Sequence, residues 1–242
     1  MANLKDIRDR IKSVKSIQQV TNAMKMVAAA KMRRAQENME KARPYSSRLA
    51  EMLESLIPEI DRSLMPELNI RPVERTLFVV ITADRGMAGA FNHNVLRKAH
   101  HEIDAVGKDN SDILCVGKKA CGYFKNRSYP IALEFMDFWN DLGYEHAMNL
   151  GLEIVSRFVK GEVDQVQVIY NRFINVARQE IKNDTFLPMS YNPEKKEESY
   201  IPDRLFEPSK EAVVKSIIPR YLNTQIWQFL LESYASEQAA RM

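Results

Sequence analysis

Between Ile81 and Val95 the chain reads ITADRGMAGAFNHNV, which sets Gly86 and Gly89 between an apolar run and a helical one. A glycine-containing turn from strand to helix is where α/β proteins cradle phosphates, because small residues let backbone N–H groups approach the anion. The spacing is GxxG, without the third glycine of a dinucleotide fingerprint and without a following Lys and Ser or Thr. It therefore predicts a tight turn that packs a helix on a sheet. The histidines His93, His100, His101 and His146 include one adjacent pair, and neighbours on a helix point about 100° apart, which does not suit a shared metal. Cys115 and Cys121 have no CxxC spacing and read as small buried hydrophobes. No Ser, His and carboxylate set stands out, and the paired acids Glu197 and Glu198 lie in a polar stretch. The sequence thus assigns no catalytic, cofactor-binding or metal-ligating residue.

The remaining residues with a chemical signature are cations. In the first fifty positions twelve Lys and Arg oppose four Asp and Glu, a net +8 within a chain whose total is +3, so the rest is mildly acidic. A basic segment on an acidic body predicts an acidic partner, with nucleic acid as the rival. The segment has no aromatic before Tyr45 for base stacking, and its apolar stripe asks for burial. Lys25, Lys31, Arg33 and Arg34 form a basic band.

The element that carries this band is a helix with no Gly or Pro until Pro44. Leu4, Ile7, Ile11 and Val14 recur at steps of three and four, Ile17, Val20, Met24 and Val27 resume after a slip, and Ala28, Met32, Ala35, Met39 and Ala42 continue the stripe. Leu4 to Ala42 alone spans roughly 60 Å, against a diameter of about 45 Å for a compact chain of this length. The helix is expected to project as a rod and to seek a partner helix. Pro44 should kink it, with Leu49, Met52, Leu53 and Leu56 continuing the spacing.

Beyond three prolines the pattern changes to alternation of strand and helix. Thr76 to Thr82 (TLFVVIT) suits a strand buried on both faces. A helix from about Phe91 to Val106, a strand around Ile113 to Val116, a helix near Lys118 to Phe124, a helix from Asp141 to Val159 and a strand from Val163 to Phe173 follow. Three strands with intervening helices predict a small doubly wound α/β domain. Residues 192–206 are charged, with Glu194 to Glu198 expected as a solvated loop. Ser209 then reads as an N-cap opening a helix through Val214, Ile218, Leu222, Ile226, Phe229 and Leu230, kinked at Pro219. The fold class expected is α/β: long N- and C-terminal helices forming an antiparallel coiled coil plus a small doubly wound domain. The divisions are a shaft helix over 1–57, an α/β domain over 74–192 and a second shaft helix over 208–242. With 45% hydrophobic residues there is material for one real core, no apolar run approaches the length of a bilayer span, and the N-terminus lacks a signal-peptide pattern.

Five segments together resemble the gamma subunit of the F-type ATP synthase: KDIRDRIKSVKSIQQVTNAMKMVAAAKMRRAQ, the RPY at Arg43, ITADRGMAGAFNHNV, the NRFIN at Asn171 and the closing LESYASEQAARM. The resemblance covers essentially the whole chain in order. It implies a non-catalytic rotor shaft, without cofactor, that turns with the proton-driven c-subunit ring and drives nucleotide chemistry in the beta subunits. The implied partners are the alpha and beta subunits of the head, the epsilon subunit and the c ring, not nucleic acid. The implied location is peripheral, on the cytoplasmic face of a bacterial plasma membrane. Ile7, Ile11, Val14, Met24 and Val27 would form the shaft seam with Ile226 and Leu230. Lys25, Lys31, Arg33 and Arg34 would bear on acidic loops of the surrounding subunits, and Phe206 and Glu207 would lie near the c ring. Family members continue past ASEQAARM for several helical turns, so much of the usual partner of the N-terminal seam is expected to lie outside this chain.

Overall fold

The computed structural model describes residues 4–189, 206–207 and 209–242. The segment Glu194 to Glu198 and Pro208 lie outside the described residues.

Helix α1 runs unbroken over Leu4–Leu56, 53 residues and roughly 80 Å. It carries Pro44 inside it and loses one internal hydrogen bond there. Three short 3-10 turns follow and lead into a sheet whose strands are β1 (Thr76–Ile81), β2 (Ser111–Val116), β3 (Ile131–Phe135), β4 (Gln165–Phe173) and β5 (Gln179–Leu187). Helices α2 (Phe91–Val106), α3 (Lys118–Lys125) and α4 (Tyr144–Val159) alternate with them, and α5 (Lys210–Arg241) closes the chain.

The strand order is β3-β2-β1-β4-β5, parallel except for the last pair. Five strands stand where three were expected. β3 and β5 are the additions, and both are edges whose residues are mostly half-buried, so neither shows the apolar run or clean alternation that marks a central strand. Helix α4 begins at Tyr144 and not Asp141, because Trp139–Asp141 forms a 3-10 turn and Gly143 takes the N-cap in an extended conformation.

The central strand β1 is buried at every position and serves two cores. Leu77, Val79 and Ile81 point to one side, where they pack with α4, α5 and the end of α1 through Leu53, Ile154 and Leu222. Phe78 and Val80 point to the other, against Val95 and Ile103 of α2 and Phe124 of α3. Cys115 and Cys121 lie in this second core as free, buried thiols. Gly117, just past β2, has φ +92, and a Cβ there would stand 2.1 Å from the Thr82 carbonyl oxygen. Only glycine lets β1 and β2 end so close together.

Candidate functional site

Ser209 caps α5 as the sequence predicts, its side chain accepting from the Ala212 N–H at 3.2 Å. The helix continues through Pro219, and its middle lies in the first core: Ile226 and Leu230 are buried against the sheet side of the domain. Toward its end, residues 235–239 are all buried, so α5 there is enclosed on every side, as a run of small residues (Ala235, Ser236, Ala239) permits. One side is α1. The two helices make the most extensive contact between any two elements. They run antiparallel: Glu54 lies near Tyr221, Arg43 near Glu232, Arg34 near Tyr234 and Lys31 near Glu237. On α1 the buried seam is Ala28, Met32 and Ala35, then Leu49, Leu53 and Leu56. Alanines at the narrow end let the helix axes approach.

The other side of the α5 terminus is the ADRGMAG loop. Arg241 donates through Nε to Glu237 Oε1 at 3.0 Å and through Nη1 to the Gly86 carbonyl oxygen at 3.0 Å. Glu237 is buried, which pushes its carboxyl group up, while Arg241 and Lys31 oppose that. Ala83, Ala88 and Phe91 pack against Ala240, and Ser236 Oγ donates to the Asn171 carbonyl oxygen at 3.2 Å. Asp84 ties the neighbouring strand ends, accepting from the N–H groups of Lys118 at 2.9 Å and Asp137 at 3.2 Å. At the carboxyl ends of the strands, where open α/β sheets bind ligands, the last turns of α5 pack against the loop and leave an open groove beside Asp84 and Arg85. The GxxG turn holds a helix in the place where such turns elsewhere hold a phosphate. Among the described residues no three His, Cys, Asp or Glu converge to hold a metal ion, and no helix is long and apolar enough to cross a membrane.

The predicted site residues separate into two groups. Ile226 and Leu230 are core residues, whereas Ile7, Ile11, Val14, Met24 and Val27 face solvent, at 45%, 52%, 62%, 41% and 56% exposure. Met24 and Val27 line a groove of about 400 Å³ with Trp139, Tyr234 and Arg241, beside the last turns of α5. In the basic band Lys25 is exposed, Lys31 is half-buried in the groove wall, Arg33 reaches Glu37 at 3.5 Å and Arg34 is exposed. Phe206 is half-buried against the first core with Lys210 Nζ 5.3 Å from its ring centre, and Glu207 is exposed. The Glu237 and Arg241 pair and the Trp139 stack on Tyr234, 5.9 Å and 3° apart, were not singled out from sequence. The i, i+4 spacing of Glu237 and Arg241 was the available signal.

A family described as ATP synthase matches residues 3–242. The ATP synthase gamma chain of Prosthecochloris aestuarii is 44% identical over 250 residues, covering all of this chain and 84% of that protein. That of Chloroherpeton thalassium is 41% identical over 259 residues, with the same coverage. Among solved structures, the central stalk and c-ring structure of the Tetrahymena thermophila mitochondrial ATP synthase contains a chain that matches with a TM-score of 0.70 at 23% identity, over 92% of this chain and 96% of that one. A chain in the rotor of the Euglena gracilis mitochondrial enzyme gives 0.62 at 22%, over 97% and 86%. Long terminal helices joined to a mixed sheet are thus a fold shared with these chains, and the protein belongs to the ATP synthase gamma-chain family.

Proposed function

We propose that this chain is the central rotor shaft of an F-type ATP synthase, coupling proton flow through the membrane sector to ATP synthesis or hydrolysis in the catalytic head. The observation that supports the proposal is the antiparallel pairing of two long terminal helices on a mixed sheet, in a chain that matches ATP synthase gamma chains over its whole length. From Leu4 to Val27, over roughly 35 Å of α1, an apolar stripe and the cations from Lys5 to Lys25 are exposed. Such a stripe suits burial against a partner helix and the surrounding subunits.

The partners are the alpha and beta subunits around the projecting helix, and the epsilon subunit and c ring around the α/β domain. Ile7, Ile11, Val14, Met24 and Val27 supply the seam of the shaft inside the head. Lys25, Lys31, Arg33 and Arg34 meet acidic loops of the sleeve, and Phe206 and Glu207 face the c ring. The chain itself is non-catalytic: it acts by presenting a different side to each of three catalytic sites. Switching a site almost wholly from one conformation to another takes a differential contact energy of about 5.5 kcal/mol. Solvated ion pairs worth about 0 to 1 kcal/mol each can make and break at every third of a turn, so the basic band biases without latching. The complex sits on the cytoplasmic face of a bacterial plasma membrane, with this chain peripheral.

The test is co-expression with the alpha and beta subunits of the same organism, followed by native mass spectrometry and a rotation assay on the immobilised complex. A 3:3:1 assembly, and stepwise rotation of a probe attached at exposed Asp109 during ATP hydrolysis, are expected. Recovery of a head with this chain always absent would reject the proposal.

A further inference from the structure

Glu232 lies on α5 where that helix crosses the β4–β5 hairpin, and its Oε2 is buried without a hydrogen-bond partner. An orphaned buried carboxylate oxygen is costly when ionised and needs a reason. Its neighbours come from every element packed against it. From β4 there are Tyr170 and Arg172, from β5 Asp184, and from α1 Arg43. Tyr170 does not serve the orphan, because its hydroxyl donates to Asp184 Oδ2 at 3.0 Å. The Phe173 N–H faces the carboxyl group and favours the ionised form, as do the two arginines, but Arg172 and Arg43 are exposed and shared with solvent. One turn earlier on α5, Phe229 packs on Tyr170 with ring centres 4.7 Å apart and on Phe186 at 6.2 Å, so this carboxyl group sits at the edge of the contact that holds the helix to the hairpin.

We propose that Glu232 is a proton-operated latch between the C-terminal helix and the β4–β5 hairpin, closing the contact when the carboxyl group is protonated and loosening it when ionised. Protonation removes the desolvated charge and its repulsion from Asp184. It also supplies an O–H that can donate to the same Asp184 or to a strand carbonyl. Burial, opposed by Arg172, places the titration at about 6, above the ordinary value of 4.5. The folded chain therefore binds this proton more tightly than the unfolded one. Its contribution to the contact is complete below about 4.5 and is lost as the pH rises through about 6. In a protein whose partners handle protons, the base of the shaft would stiffen on acidification.

The experiment follows the intact chain by NMR titration of labelled glutamate carboxyl groups and by hydrogen exchange of residues 171–179 and 229–236, corrected for the intrinsic pH dependence of exchange. Glu232 is expected to titrate near 6, and protection in both segments to rise by up to about 8-fold between pH 7.5 and 5, part of the roughly 30-fold that a shift of that size allows at full protonation. E232Q should hold the high protection at all pH values. E237Q serves as the control, because Glu237 on the same helix is also raised but faces Arg241, Lys31 and Asp84. Titration of Glu232 at or below 4.5 overturns the proposal, as does a pH response that persists in E232Q. If E232Q does not fold, survival of the response in E237Q upholds the assignment and its loss there overturns it.

Discussion

At the residue scale, the ion pair of Glu237 and Arg241 shows how one charge is made necessary by another. Both side chains are largely out of water, at 7% and 15% exposure, and Arg241 also satisfies the Gly86 carbonyl. Deleting one member of such a pair costs far more than the pair contributes, because a buried charge is left alone. R241A is expected to lose about 3 kcal/mol of unfolding free energy at pH 7.5 in urea titrations. The loss should shrink as the pH is lowered. Burial already raises the Glu237 carboxyl group, and without Arg241 it rises further, so the variant relieves its stranded charge by taking up a proton that the wild type binds less tightly. In an E237Q background the same arginine deletion should cost little. An equal loss in both backgrounds would mean that Arg241 acts through Gly86 and packing, not through charge.

At the scale of elements, the α1 to α5 contact depends on small residues at its narrow end. Ala28 and Ala35 are each 2% exposed, so a larger side chain has nowhere to go. A35L should destabilise the chain by about 1 to 3 kcal/mol through overpacking. A30L, at an exposed position of the same helix, should change the urea midpoint by no more than the equivalent of about 0.5 kcal/mol. Equal effects would show that α1 is held by its far end alone. This contact also marks what was legible in the sequence and what was not. The α1 stripe was legible because an apolar period of three and four is imposed by the helix itself, and β1 because a strand buried on both faces must be apolar throughout. β5 was not, since QEIKNDTFL is an edge whose polar residues meet water, so its identity comes from pairing with β4 and not from its own pattern. Ile226 and Leu230 were readable as apolar, but not the direction they face: α5 is surrounded toward its end, and an all-round burial pattern carries no phase. The GxxG turn lacks the third glycine and the Lys and Ser or Thr of phosphate loops, and the end of α5 that packs on it could not be read from sequence because it lies 155 residues away from Gly86.

At the scale of the whole molecule, stability and assembly are assigned to different parts of the same helix. The C-terminal half of α1 is folded into the domain core through Leu49, Leu53 and Leu56, whereas Ile11 and Val14 touch water on a face that contributes nothing to the isolated fold. Two substitutions should therefore separate the functions. I11D with V14D is expected to leave the urea midpoint of the isolated chain within about 0.5 kcal/mol of wild type, because exposed positions away from caps and cores rarely do more. In co-expression with alpha and beta subunits the same variant should assemble poorly, since each carboxylate brought into an apolar seam without a partner costs several kcal/mol. A35L predicts the reverse, a weakened chain whose projecting face is intact. If I11D with V14D assembled as well as wild type, that stretch of α1 would remain solvated inside the complex, and the part of the shaft that biases the head would have to lie nearer the domain, around Lys25 to Arg34.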